Sequence, residues 1–325
     1  MQCLAGTVIV SIVAALVLAP AHAADAYPTR PIRLIMPQAP GSSNDTIARI
    51  TSVRLAELLG QQIVIDNRAG GGGILGAELA ARAAPDGYTL LSGSAPSHAV
   101  APITYRKLPY DPTKDFAPIS LFAIADMVLC VHPGLAAKSV KEFVSLARAR
   151  GGELNMASAG SGSVAHLGGL MFSTLTNIKS THIPYKGGAA NIVAVATGEA
   201  HWLISPVSAL MGQLKTGRLR ALAVGGKTRS SFLPDLPTLQ ESGVAGYEFY
   251  TWTGLMAPTG TPGAIVNRLH EAMVKALSSA EVKAQLMSQG VEPSPSRSPA
   301  DFASFIANEQ RKMRELAKVA GLKPE

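Results

Sequence analysis

The residues best suited to chemistry lie in two short loops, Gly41-Ser42-Ser43-Asn44-Asp45 and Gly160-Ser161-Gly162-Ser163-Val164. Each sets small side chains and unpaired backbone N–H groups at the start of a predicted helix, an arrangement that attracts carboxylates and other anions. Recognition would come mainly from main-chain donors, serine hydroxyls and water, with Asp45 standing where a helix-capping side chain stands. Nucleophilic chemistry is the competing reading. Ser161 is followed by His166, but the pattern G-x-S-x-G of a nucleophile elbow fails at Ala159, so a hydrolase remains an alternative. Gly71, Gly73 and Gly76 fit G-x-G-x-x-G, and Gly160, Gly162 and Ala165 fit its G-x-G-x-x-A variant. Neither is followed about 20 residues on by the acid that would take a ribose hydroxyl. Gly225-Gly226-Lys227-Thr228 resembles half a P-loop whose first glycine is replaced by Ala221. His98, His132, His166, His182, His201 and His270 form no H-E-x-x-H and have no cysteine pairing, so no metal site and no cofactor are expected.

Strands and helices must position these loops. Residues 32–36 form an apolar run, 37–43 a Pro, Gly and Ser loop, and 46–59 carry helical apolar spacing: strand, loop, helix. The order recurs at 62–65, 67–73 and 75–84, and a strand at 88–91 ends in the loop 92–97. A second series begins with a strand at 127–131, a helix at 140–150 after Ser139, and a strand at 154–157 entering AGSGS and a helix from 164. A strand at 180–183, the loop PYKGG, a helix to 197 and an apolar run at 202–204 follow. Near the end come a strand-like stretch from 247, the turn TGTPG, a helix at 264–277, and a helix opened by Ser298, Pro299 and Asp301, a sound N-terminus. Strands alternating with helices predict a parallel sheet covered on both faces, with the ligand edge at the carboxyl ends of the strands.

Composition narrows the class. The 325 residues are 47% apolar and 16% charged, the balance of a folded protein. The net charge is +7, but aromatic residues are only 5% and Lys and Arg are scattered among acids, so the basic stripe of a nucleic-acid binder is missing. A modest positive field would still draw small anions into a cleft. Residues 4–19 are an uncharged apolar run followed by Pro20 and the triplet Ala21, His22, Ala23. This reads as a secretory leader cut after Ala23, although its first residues hold no Lys or Arg. The run is shorter than the roughly 20 residues of a bilayer span, so a soluble exported chain is expected. Cys3 would leave with the leader, and Cys130, in an apolar run, reads as a small buried hydrophobe.

The blocks YPTRPIRLIMPQAPGSSNDTIAR, LGQQIVIDNRAGGGGILGAELAARAAPDGYTLL, GSGSVAHLGGLMF, IPYKGG, LKTGRLRALAV, LPDLPTLQESGVAGYEF and SPADFASFIANE carry a resemblance. Over essentially its whole length after the leader, in order, the chain resembles the Bug family of extracytoplasmic receptors of tripartite tricarboxylate transporters. That resemblance implies a two-lobed α/β periplasmic binding protein, type II-like, each lobe a sheet flanked by helices. It would close on a small carboxylate and present it to a large and a small membrane subunit, and it would not be an enzyme. The implied organisation is a leader at 1–23, lobe 1 from 24–125 plus 248–325, and lobe 2 from 126–247, with hinges near Asp126 and Tyr247. A monomer is the default for such a receptor.

Carried over by position, the first-lobe loop supplies Pro40, Gly41, Ser42, Ser43, Asn44 and Asp45. The second-lobe loop supplies Ala159, Gly160, Ser161, Gly162, Ser163 and His166 from the opposite side. Ser92 and Ser94 would border the cleft, as would Tyr185, Lys186 and Gly187, with a solvated tip equally open for Lys186. Asn67, Arg68, Gly71, Gly72 and Gly73 match the family's second loop, where a tight turn with Arg68 in a structural ion pair is the simpler reading. Two positions depart from the family pattern: Ser42 replaces a glycine, and Ser205, after Trp202-Leu203-Ile204, replaces an Asp. Losing that acid favours a ligand without a cation. The alternatives kept open are a periplasmic serine hydrolase using Ser161 and His166, and a ligand-sensing receptor for a signalling partner.

Overall fold

A computed structural model describes residues 27–319; the expected leader, its cleavage site and Cys3 lie outside the described residues. The first strand, β1 (Ile32–Met36), buries Ile32, Leu34, Ile35 and Met36 and exposes Arg33. It is followed by α1 (Ser43–Leu59), β2 (Ile63–Asn67), α2 (Ile74–Ala81), β3 (Thr89–Ser94) and the single turn α3 (Ala101–Thr104). β2 and β3 flank β1 in parallel, as strands joined through crossover helices do. A long strand, β4 (Phe116–Val131), leads to α4 (Val140–Ala149), β5 (Gly152–Ser158), α5 (Val164–Thr176), β6 (Ser180–Pro184), α6 (Gly188–Ala196), β7 (Trp202–Pro206), α7 (Val207–Lys215) and β8 (Arg220–Val224). Here β6 and β7 flank β5 in parallel. The chain returns in β9 (Tyr250–Pro258) and ends in α8 (Gly263–Ser278), α9 (Ala280–Ser288), the two-residue β10 (Glu292–Pro293) and α10 (Pro299–Val319).

The strands run β2-β1-β3-β9-β4-β7-β5-β6, with β8 and β10 also paired to β4. The wholly parallel sheet expected from the alternation is therefore corrected to a mixed one. Each half keeps a parallel triplet, but β9 is antiparallel to β3 and β4, and β7, β8 and β10 are antiparallel to β4. The physical reason lies in the connections. β4 and β9 carry the chain between the two halves, and no helix crossover fixes their direction relative to each other. Residues 116–126 of β4 pair with β9, whereas 127–131 pair with β7 and β8. The sheet changes partners between Asp126 and Met127.

Helices cover both faces. α1, α8 and α9 pack Ile47, Leu55, Leu269, Met273 and Leu286 into one apolar cluster, while α10 packs Phe302 and Ile306 into another with Trp252 and Met256. Phe302 and Phe305 meet the Trp252 ring edge-on at 5.9 and 5.6 Å. A polar tie adds to that packing: Tyr250 donates to Glu309 Oε1 at 2.8 Å, and Lys312 Nζ donates to Glu248 Oε1 at 2.8 Å. The last helix is thus fixed to β9 and the segment before it. α6 and α7 contribute Ile192, Val195, Val207 and Leu210 to a third cluster over β7 and β8, which also encloses Cys130. Burial pushes that thiol far up from its ordinary pKa, in keeping with an inert core position.

Gly225 sits where the halves join. Its N–H donates to Met127 O at 2.6 Å and its carbonyl accepts from Phe249 N at 2.9 Å. A Cβ there would lie 2.7 Å from Phe249 O. Close backbone approach at the crossing explains the glycine pair of the half P-loop without a nucleotide. Among the described residues no helix is long and apolar enough to cross a membrane, and no group of three His, Cys, Asp or Glu could hold a metal ion.

Candidate functional site

Between the two halves lies a cleft of two adjoining chambers. The larger of the two, about 420 Å3, is lined by Pro37, Gln38, Gly70 to Gly73 and Thr104 on one side and Ala159, Ser161, Gly162, Ser163, Gly187 and Gly188 on the other. The smaller, about 160 Å3, is lined by Ser42, Ser43, Asn44 and Ile47, by Thr251 and Thr253, and by Val164 and Pro206. The walls touch where Ser43 Oγ and Ser208 Oγ share a hydrogen bond of 2.9 Å.

Four helices aim their N-terminal ends at this space. Ser42 caps α1 and accepts from Asp45 N, and Ser163 caps α5 and accepts from His166 N. Gly187 precedes α6, and Pro206 precedes α7. The first N–H groups of each helix have no carbonyl one turn back to bond, and the helix dipoles add partial positive charge at the same place. No Lys, Arg, Asp or Glu lines either chamber among the described residues. The chambers thus offer main-chain N–H donors and helix N-termini without a formal cation, which suits an anion bound by main-chain donors.

The loop at 159–163 is held from below by hydrogen bonds. Ser158 Oγ donates to Gly160 O at 3.1 Å and accepts from Gly160 N at 3.2 Å, and it lies 2.6 Å from His182 Nε2. With the Ser158 proton on Gly160 O, His182 carries its proton on Nε2 and donates. Gly162 N donates to His166 Nδ1 at 3.1 Å, and the His166 and His182 rings stack at 4.0 Å. Burial, reinforced by the neighbouring His182, pushes His166 down to about 4. Burial also lowers His182. Both rings are therefore neutral at physiological pH, as the acceptor role of His166 Nδ1 requires. With Nδ1 accepting from Gly162 N, the proton of the neutral ring sits on Nε2, which leaves His166 no free acceptor nitrogen to serve Ser161 as a base.

The first loop is fixed by Asp45. Its carboxylate accepts from Gly41 N at 2.9 Å, from Arg49 Nε at 2.8 Å and from Asn67 Nδ2 at 2.8 Å. Burial alone would raise this carboxyl, but the bonds from Arg49, Asn67 and Gly41 outweigh it and hold the pKa below the ordinary carboxylate value. Asp45 is not the N-cap: it lies at the third helical position, and Ser42 performs the capping.

Of the residues expected from the sequence, the cleft walls bring together Ser42, Ser43, Asn44, Ala159, Ser161, Gly162, Ser163 and Gly187. Pro40, Gly41, Asp45, Gly160 and His166 belong to the same loops but are not among the lining residues. Ser92 and Ser94 are fully buried in β3, with Ser92 Oγ bonded to Thr253 Oγ1 and Ser94 Oγ accepting from Gln38 Nε2. Tyr185 donates to Glu199, Lys186 is exposed, and Ser205 is buried one residue before the lining Pro206. Arg68 pairs with Asp66 at 2.9 Å, the structural ion pair expected of it. The Gly71 to Gly76 signature is backbone packing: a Cβ on Gly76 would lie 2.9 Å from Pro37 Cα. Residues missed in the sequence include Gln38, Thr104, Thr251 and Thr253. Gln38 lies two positions past the end of β1, where carboxyl-end geometry places ligand contacts.

Comparison with known proteins places the chain in a family. A sequence profile described as tripartite tricarboxylate transporter family receptor matches residues 47–322. BugT of Bordetella pertussis is 35% identical over 302 residues, 92% of each chain. Among solved structures, R. palustris Rpa4515 with adipate aligns at a TM-score of 0.86 and 36% identity, covering 92% of this chain and all of that one. MatC from Rhodopseudomonas palustris with bound malate aligns at 0.81 and 32% identity, over 89% of this chain and 99% of that one. The periplasmic binding protein BugD aligns at 0.82 and 29% identity, over 92% of this chain and 100% of that one.

Proposed function

The chain belongs to the tripartite tricarboxylate transporter receptor family, and from that premise we propose that it is an exported receptor that captures a small carboxylate in its cleft and delivers it to the large and small membrane subunits of such a transporter. The observation that carries the reading is the convergence of four helix N-termini on an uncharged, serine- and glycine-lined cleft. Two related proteins with bound adipate and bound malate support the ligand class. The residues in the binding role are Ser42, Ser43 and Asn44 on one wall and Ala159, Ser161, Gly162, Ser163 and Gly187 on the other. Pro40, Gly41, Asp45, Gly160 and His166 shape the two loops. Ser92, Ser94, Tyr185, Lys186 and Ser205 stand behind them or at their margins. Among the described residues no carboxylate lines the chambers to receive an amino group, which favours a ligand without a cation over an amino acid.

Two lobes follow from the same frame: the segments up to 125 and from 248 form one, 126–247 the other, with hinges near Asp126 and Tyr247. The change of strand partners at Asp126/Met127 supports that division. The protein acts as a binder and not as an enzyme, and the His166 geometry favours this over a Ser161 hydrolase. The test is a thermal-shift and calorimetric screen of mono-, di- and tricarboxylates, amino acids and nicotinamide cofactors. A carboxylate at 100 times its Kd adds about 2.7 kcal/mol and raises Tm. A rise with cofactors alone would overturn the reading, as would ester turnover abolished by Ser161→Ala.

A further inference from the structure

The two chambers meet at a neck formed by the residues common to both: Gln38, Ser42, Pro96 and Val164. Only Gln38 and Ser42 are polar there; Ser42 Oγ accepts from Asp45 N and keeps its O–H to donate, while the Gln38 amide is the one with a buried unpaired end. Gln38 is held at both ends. Its backbone carbonyl accepts from Asn67 Nδ2 at 3.0 Å, and Asn67 is itself bonded to Asp45. Its side-chain Nε2 donates to the fully buried Ser94 Oγ at 3.1 Å. The other end of the amide, Oε1, is buried and has no hydrogen-bond partner among the described residues. A buried amide atom left unpaired carries a desolvation cost that a ligand group can remove.

Resting on the carboxylate reading above, we infer that Gln38 is a specificity-determining residue that reads a hydroxyl carried on the ligand's chain between its two ends, so that this receptor selects hydroxylated carboxylates over their unsubstituted counterparts. The chemistry of the amide points to a hydroxyl. A glutamine amide can turn end for end, and Ser94 Oγ can accept or donate, so the free end can present either C=O or NH2. A hydroxyl donates and accepts and therefore satisfies both. A carboxylate only accepts, and a methylene leaves the amide unpaired. Location sets the place of the group on the ligand: a carboxylate seated on the helix N-termini leaves the neck facing the ligand's middle.

Calorimetry with matched pairs tests this: succinate and malate, glutarate and 2-hydroxyglutarate, adipate and 3-hydroxyadipate, 3-phenylpropanoate and phenyllactate. The hydroxylated member of at least one pair binds about tenfold tighter or more, because a site with a buried polar group rejects the analogue that cannot pair with it. In Gln38→Leu that preference collapses to within about twofold, whatever the change in the absolute affinity of the pair. Should Gln38→Leu fail to fold, Ser94→Ala carries the same test, since it frees the amide and weakens discrimination without removing it. Equal binding within every pair, or a preference that survives Gln38→Leu, overturns the assignment of Gln38 and leaves the receptor reading intact. Binding by no member of any pair overturns both.

Discussion

Asp45 and His166 show how a loop at the cleft can depend on side chains that do not line it. The Asp45 carboxylate ties Gly41, Arg49 and Asn67 together, and its pKa is depressed. Its contribution is therefore fully present above the ordinary carboxylate pKa and is lost as pH falls through the lower folded value. Asp45→Asn should reduce stability by about 1–2 kcal/mol at pH 7, the modest end of the range for charged hydrogen bonds because Arg49 is half exposed and screened. Urea denaturation should show that deficit shrinking below about pH 4, where the wild-type carboxyl is also being protonated. His166 works in the same sense over a different window. Its folded pKa of about 4 lies below the ordinary 6.5, so the unfolded chain binds the extra proton between these values. Stability present above 6.5 is lost as pH falls through 4. In His166→Asn that decline should be shallower by up to about 1.4 kcal/mol per pH unit. An unchanged slope would mean that the ring is not buried neutral beneath Gly162.

At the scale of elements, the cap serines separate a helix's stability from its role in the cleft. Ser139 caps α4 just as Ser163 caps α5, each accepting an N–H three residues on. Ser139→Ala and Ser163→Ala should each cost about 1 kcal/mol of stability. Only Ser163→Ala should also weaken carboxylate binding, because of these two helices α5 alone reaches the cleft. Equal loss of affinity in both would assign the effect to stability alone. The start of α4 after Ser139 was legible because a serine before an apolar-periodic run is a local signal, whereas at α1 the capping role read onto Asp45 belongs to Ser42. The strand-loop-helix units were legible for the same reason, and so was the Gly-Ser character of both loops. The first eleven residues of β4 were not: Pro118 interrupts the run, and register shifts beside Pro118/Ser120 and Leu121/Ala123 break any alternation. Nor was the antiparallel insertion of β9, which depends on contacts between residues far apart in the chain. Gln38 escaped notice because its importance lies in what it faces and not in its own pattern. Ser92, Ser94 and Ser205 looked available as small polar residues, yet strand burial withdraws them from the lining.

Across the whole molecule, the contacts that join the cleft walls away from the ligand make closure testable on its own. Gly290, at φ +73°, leaves α9 against α7, and a Cβ there would lie 3.2 Å from Ser208 Cα and 3.4 Å from Ser208 N. Ser208 is also the partner of Ser43 across the cleft. Gly290 lines neither chamber, so a substitution there touches no ligand. Gly290→Val should keep the lobes from reaching the arrangement in which Ser43 meets Ser208. Apparent affinity falls with the fraction of molecules able to close. If that fraction drops to about one tenth, calorimetry should report a Kd about tenfold weaker. Small-angle scattering should show the wild type compacting on addition of a carboxylate that binds, and the variant compacting less at the same fractional saturation. The left-handed backbone at Gly290 makes some loss of stability expected as well, so Gly243→Val, at φ +95° with nothing within 4 Å of its Cβ position, provides the comparison. It carries a similar backbone penalty but leaves closure free. If both variants lose affinity alike, strain and not closure is responsible; if the wild type binds without compacting, the two halves of the sheet form a preformed pocket and the hinge at Asp126 has no part in capture.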